Sequence, residues 1–80
     1  MKEITVFING TPKTVEKNKE YTFEEVVVLA FGSYDDAVKD YTMTSTNKNG
    51  KDPRDYSVGD KIKMKEDMRI NVDLTINVYS

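Results

Sequence analysis

Arg69-Ile70-Asn71-Val72-Asp73-Leu74-Thr75-Ile76-Asn77-Val78-Tyr79 alternates apolar and polar residues without a break. Ile70, Val72, Leu74, Ile76 and Val78 fall on one side. Arg69, Asn71, Asp73, Thr75, Asn77 and Tyr79 fall on the other. Period 2 over this length predicts a strand with one buried face. At about 3.3 Å per residue it would span roughly 36 Å, whereas a domain of this size is about 30 Å wide. The strand is therefore either central to the domain, or central with a projecting C-terminal arm at about residues 75–80.

The remaining composition narrows the possibilities. Eighty residues make one domain, residues 1–80, with room for a single small core. The chain has no cysteine and no histidine. Disulfides, thiolate nucleophiles, imidazole bases and the common zinc sites are thereby excluded. Twelve basic and fourteen acidic residues are interleaved, without the basic stripe that marks a nucleic-acid binder. No N-terminal apolar run resembles a signal peptide, and no segment is long enough to span a bilayer. The expectation is a soluble, cytoplasmic, monomeric domain with no nucleic acid, membrane, metal or cofactor among its partners.

Upstream of the final strand, Ile4, Val6 and Ile8 alternate with Thr5 and Phe7 and lead into Asn9-Gly10. Asn-Gly is the preferred pair for a type I′ hairpin turn, in which both central residues need positive φ. Thr14 to Glu16 returns as a short second strand. The Asn9-Gly10-Thr11 glycosylation sequon is explained by the turn alone. Lys17 to Glu20 reads as a polar connection. A helix then opens with Thr22 as N-cap and Glu25 completing a capping box, and Tyr21 and Val26 occupy the positions of a hydrophobic staple. Phe23, Val26, Val27, Ala30 and Phe31 form a buried stripe at helical spacing, and Gly32 supplies the left-handed C-terminal cap. The β-branched run Val26-Val27-Val28 suggests a strand; the caps at both ends overrule it.

Ser33 to Asp40 is irregular and acidic, without the ligand spacing of a calcium loop. Tyr41 to Thr46 predicts a third strand and Asn47 to Asp55 a turn region punctuated by Asn49-Gly50 and Pro53. Lys61 to Lys65 predicts a short strand with Ile62 and Met64 inward and three lysines outward, a pattern that protects a sheet edge. The order hairpin, helix, strand, short strand, final strand describes an α+β domain. It should hold a mixed sheet of four to five strands with one helix packed across it, the final strand lying beside the first. That arrangement is the β-grasp.

A family likeness lies in Val6-Phe7-Ile8-Asn9-Gly10 and in Tyr21-Thr22-Phe23-Glu24-Glu25-Val26-Val27-Val28-Leu29-Ala30. It continues through Tyr41-Thr42-Met43-Thr44, Gly59-Asp60-Lys61-Ile62-Lys63-Met64-Lys65 and Met68-Arg69-Ile70-Asn71-Val72, with Thr75 near the end. Covering most of the chain, this pattern resembles the ubiquitin-like proteins of bacterial ubiquitination-like operons, the Bub-type relatives of the multiubiquitin family. The resemblance implies a modifier rather than an enzyme. An E1-like enzyme would adenylate its C-terminal carboxylate and pass it to a cysteine, an E2-like enzyme would accept it, and a peptidase trims some members first. The chain departs from eukaryotic ubiquitin in ending Asn77-Val78-Tyr79-Ser80 rather than Gly-Gly. The reactive carboxylate would then be that of Ser80, or of Thr75 after trimming, unless the chain is never conjugated.

Two further readings follow from the residues. An extended arm carrying Ile76, Val78 and Tyr79 can lie in a channel or add to a partner's sheet. Phe7, opposite Ile4, Val6 and Ile8, can anchor a partner in a non-covalent interaction module. A contiguous apolar patch around Phe7 with an ordered, buried C-terminus would favour the interaction module, and a disordered or projecting C-terminus would favour the modifier. Enzymatic chemistry is not expected: Ser33, Ser45, Ser57 and Ser80 have no histidine to activate them.

Overall fold

The computed structural model describes residues 2–35 and 39–76. The elements run β1 (Glu3–Ile8), β2 (Thr11–Glu16), β3 (Glu20–Thr22), α1 (Phe23–Phe31), β4 (Lys39–Thr46), β5 (Arg54–Tyr56), β6 (Lys61–Lys63) and β7 (Arg69–Ile76). Five strands form a mixed sheet in the order β2-β1-β7-β4-β5, and β3 and β6 form a separate two-stranded sheet. The protein is an α+β chain in which, among the described residues, one helix lies against one face of the five-stranded sheet. As the alternating pattern requires, β7 is the central strand, parallel to β1 and antiparallel to β4.

The local signals explain the elements. Asn9 and Gly10 both have positive φ, at 52° and 80°, and turn β1 into a fully paired hairpin from Ile8↔Thr11 to Glu3↔Glu16. The return strand starts at Thr11 rather than Thr14, because Pro12 and Lys13 sit on the sheet's outer edge, where a missing N–H costs nothing. At the helix start, Thr22 Oγ1 accepts from Glu25 N–H and Glu25 Oε1 accepts from Thr22 N–H. At its end, Gly32 at φ 85° donates to the Val28 carbonyl. The three valines are helical, as the caps dictate.

The core is the inner face of the sheet (Ile4, Val6, Ile8, Val15, Met43, Ile70, Val72) closed by Phe23, Val26 and Val27 of α1, with Ile62, Met64 and Met68 at one end. Several further expectations need correction. Glu20, read as connection, begins β3 and pairs with Lys63. Arg54 and Asp55, read as turn, form with Tyr56 a strand because this segment pairs with the end of β4. The Lys61 to Lys65 strand stops at Lys63. Phe31 is 39% exposed and Ala30 only partly buried, because α1 ends there and the sheet beneath is not fully covered. β4 also begins at Lys39, earlier than its β-branched run suggested.

The halves β2-β1 and β7-β4-β5 join along one short parallel seam, in which Phe7 pairs with Arg69 and Ile8 with Ile70. Phe7 N–H donates to the Met68 carbonyl and Asn9 N–H to the Ile70 carbonyl, both at 2.9 Å. Side chains lengthen the seam at both ends. Glu66 Oε2 accepts from Thr5 N–H at 3.1 Å. At the other end the Asn9 amide donates to the Val72 carbonyl at 3.0 Å and accepts from Val72 N–H at 2.8 Å. The Asn9 side chain thus stands in for the next peptide group of β1 after the backbone has turned away.

Candidate functional site: the uncovered end of the central strand

Burial falls along the inner face of β7. Ile70 and Val72 are buried, Leu74 is partly buried and Ile76 is 58% exposed. The cause is length. Nine helical residues rise about 13 Å, whereas eight strand residues extend about 26 Å. The helix can shield only about half of the strand's inner face.

Aromatic residues partly cover the rest. Tyr41 pairs with Leu74, and Lys39 with Ile76, across the β4–β7 ladder. Tyr34 stacks on Tyr41 with ring centroids 5.2 Å apart, and Phe31 meets the same ring at 6.2 Å. Tyr41 Oη accepts from Asp35 N–H at 3.0 Å, which fixes the ring relative to the chain leaving α1. Beside these rings Val58 is 65% exposed, and Phe23, Tyr34, Lys39, Asp40, Tyr41 and Val58 line a shallow depression of about 320 Å³. The strand end therefore emerges beside a half-exposed aromatic surface. Apolar groups left accessible together, rather than singly, are the usual mark of a protein-docking face.

Of the residues singled out in the sequence, Thr75 and Ile76 lie at this rim. Val78, Tyr79 and Ser80 lie outside the described residues. Phe7 is elsewhere. It is partly buried on the opposite face of the sheet, opposite Pro12 and Arg69. Besides Pro12, the register places Thr5, Thr14, Arg69 and Asn71 near it on that face, so its strand neighbours are mostly polar. Because Arg69 opens β7 and Ile76 closes it, Phe7 and Ile76 are separated by roughly 23 Å of strand.

Sequence reasoning missed the aromatic surface. Tyr41 was assigned only to a strand and Phe31 to the buried stripe. The available signal was length: a helix capped at Thr22 and Gly32 is too short to cover a strand that alternates to Ile76.

The electrostatics of the described residues are plain. The Glu25 carboxyl is held below its ordinary 4.5, chiefly by the backbone hydrogen bond from Thr22. Among the described residues no group of three or more acids is placed to hold a metal ion, and no helix is long and apolar enough to cross a membrane. Comparisons with family models, with curated proteins and with solved structures find no match to this chain.

Proposed function

We propose that the chain is a ubiquitin-like modifier of the β-grasp class, serving through its C-terminal carboxylate. The observation that carries this reading is the exposure of Ile76, on the inner face at the end of the central strand. A strand held firmly by neighbours on both sides at Ile70 and Val72 delivers its last residues beyond the covered core, where an enzyme's channel can take them. The strand order, with β1 parallel to β7 and one helix on one face, supports the β-grasp assignment. The polar surroundings of Phe7 weigh against a docking patch on that face.

In this reading the chain contributes no catalysis. An E1-like partner brings a carboxylate oxygen of Ser80, or of Thr75 after a peptidase has trimmed the chain, onto the α-phosphorus of ATP, and pyrophosphate leaves. The partner's cysteine thiolate then attacks the acyl carbon and AMP departs. An E2-like cysteine receives the acyl group in turn. The aromatic surface of Phe31, Tyr34, Tyr41 and Val58 gives such partners an apolar hold close to the emerging strand. Ile76, Val78 and Tyr79 provide the alternating side chains that a channel can grip.

A second reading is a non-covalent interaction module, and the same aromatic surface favours it. One experiment separates the two: intact mass after incubation with ATP and bacterial E1-like and E2-like enzymes known to be active on another modifier. A thioester or amide adduct that needs the free C-terminal carboxylate is expected, with tandem mass spectrometry placing the bond at Ser80 or Thr75. Absence of any adduct would overturn conjugation and leave the interaction module.

A further inference from the structure

A second groove lies on the far side of the molecule from the β7 end, between β6 and the β4–β5 hairpin. Its volume is about 620 Å³. Lys61, Lys63 and Lys65 form one wall, Lys48 and Arg54 contribute from the other, and the buried Ser45 lies with Tyr56 at its base. Among the described residues none of these five cations is in an ion pair; the only pair there joins Lys19 to Glu16. Four acids, Glu20, Asp52, Glu66 and Asp67, line the same groove, and Glu20 lies opposite Lys63 on β3. Glu66 accepts from Thr5 N–H and Asp52 from the Asn47 amide. The groove's cations therefore exceed its acids by one, in a chain of net charge −2, and its run of like charge is the alternating Lys61, Lys63 and Lys65 of the β6 wall.

The wall is also an open strand edge. Among the described residues β6 pairs with β3 alone. Phe23 N–H donates to the Asp60 carbonyl and Met64 N–H to the Lys19 carbonyl. The rungs facing β3 are therefore those of Asp60, Ile62 and Met64, and strand alternation turns the N–H and C=O groups of Lys61 and Lys63 to the open side. Lys65 N–H is instead turned toward Met68 Sδ at 3.4 Å. Lys61 and Lys63 thus present an unpaired peptide group and a free ammonium each, at the roughly 7 Å repeat of alternate strand residues.

We propose that this groove receives an extended acidic segment of a partner protein, added as a strand to the open edge of β6. Backbone hydrogen bonds to Lys61 and Lys63 hold the segment. Carboxylates at alternate positions meet Lys61, Lys63 and Lys65, and Arg54 and Lys48 close over it from the hairpin side. Lysines on an exposed edge also discourage indiscriminate pairing. A cationic edge rejects neutral and basic strands and admits an acidic one, so both effects follow from the same residues. The site is separate from the carboxylate chemistry proposed for β7 and does not depend on it.

The test uses the full chain and a short blocked peptide alternating glutamate with valine, followed by amide NMR titration and fluorescence anisotropy. The expected result is shifts concentrated at Lys61–Lys65 and Arg54, with affinity falling about tenfold in Lys61→Glu/Lys63→Glu, as reversal of two cross-strand pairs implies. Both positions are exposed, but Lys63 lies opposite Glu20 on β3. Lys61→Gln/Lys63→Gln, which removes the charges without setting like charges opposite each other, is therefore measured beside it and should also weaken binding. Arg54→Glu, on the other wall, gives a further loss of affinity. A peptide with the same residues but N-methylated at alternate positions should bind at least several-fold more weakly. The proposal is overturned if the shifts avoid β6 or if the charge reversals leave affinity unchanged. It is equally overturned if the N-methylated peptide or a single-stranded oligonucleotide binds as well as the acidic peptide, which would reduce the groove to a nonspecific anion surface.

Discussion

Replacing Asn9 tests how the two halves of the sheet are held together. In Asn9→Gly the turn geometry survives, since φ of 52° suits glycine, but both hydrogen bonds to the Val72 peptide group disappear. Each is worth about 1 kcal/mol net, and leaving a partly buried donor or acceptor unpaired costs about 1–3 kcal/mol. The expected loss is about 2–4 kcal/mol. Asn9→Ala adds the cost of a left-handed conformation for a residue with Cβ, about 1 kcal/mol more. Asn9→Asp keeps an acceptor for Val72 N–H but sets a carboxylate oxygen against the Val72 carbonyl, so it should fall between wild type and alanine. An 80-residue domain has only about 4–12 kcal/mol in hand, so these are large fractions. With a urea m-value of about 1 kcal/mol/M for so small a chain, the glycine variant should unfold about 2–4 M earlier. Amide exchange supplies the local readout: Val72 N–H should lose protection well beyond the global change. Glycine and alanine variants both within about 0.5 kcal/mol of wild type would show that the seam does not need its side-chain rung.

Three other outcomes follow. Thr22→Ala should cost about 1 kcal/mol of helix capping; because the folded Glu25 carboxyl lies below its ordinary value, Glu25's contribution is complete above pH 4.5 and lost as pH falls through the lower folded value, so thermal melts of wild type and Glu25→Gln should converge only at acid pH. Tyr56→Phe removes the 2.9 Å partner of the Ser45 hydroxyl, which is 3% exposed, and should cost about 1–3 kcal/mol; in the double variant with Ser45→Ala the losses should fall short of additive, as a double-mutant cycle will show. Ile70→Ala should cost about 2–5 kcal/mol and Ile76→Ala less than about 0.5 kcal/mol by urea unfolding, although the two residues are equivalent in the alternating pattern.

That last contrast marks where the sequence was legible. Alternation reports which side of a strand a residue occupies, and it did so correctly for Ile70, Val72, Met43 and the lysines of β6. It cannot report whether anything lies on that side. Ile76 has the parity of a core residue and the exposure of a surface residue because the covering helix ends at Phe31. Capping chemistry was readable for a related reason: Thr22, Glu25 and Gly32 act within a few residues of one another, so their pattern is contained in a short window. β3 and β5 were missed because Glu20–Thr22 and Arg54–Tyr56 carry no alternation of apolar and polar residues like that of β6 and exist only through partners at Ile62 and Met43, far away in sequence. Asn9 was half legible. Its turn role is local and was recognised; its bond to Val72 spans the chain and was not.

The same distinction bears on the candidate site. Nothing in the residues 74–76 distinguishes a strand end that is buried from one that emerges, since both alternate. What decides is the difference between about 26 Å of strand and about 13 Å of helix, together with caps that forbid the helix from growing. Phe31, Tyr34 and Tyr41 then sit where covering material is short, stacked on one another yet still open to solvent. A longer helix would have buried Leu74 and Ile76 and strengthened the core, at the expense of an accessible strand end. The short, firmly capped helix and the exposed strand end are therefore one structural choice, and the proposed modifier role would draw on it by leaving the strand end within an enzyme's reach.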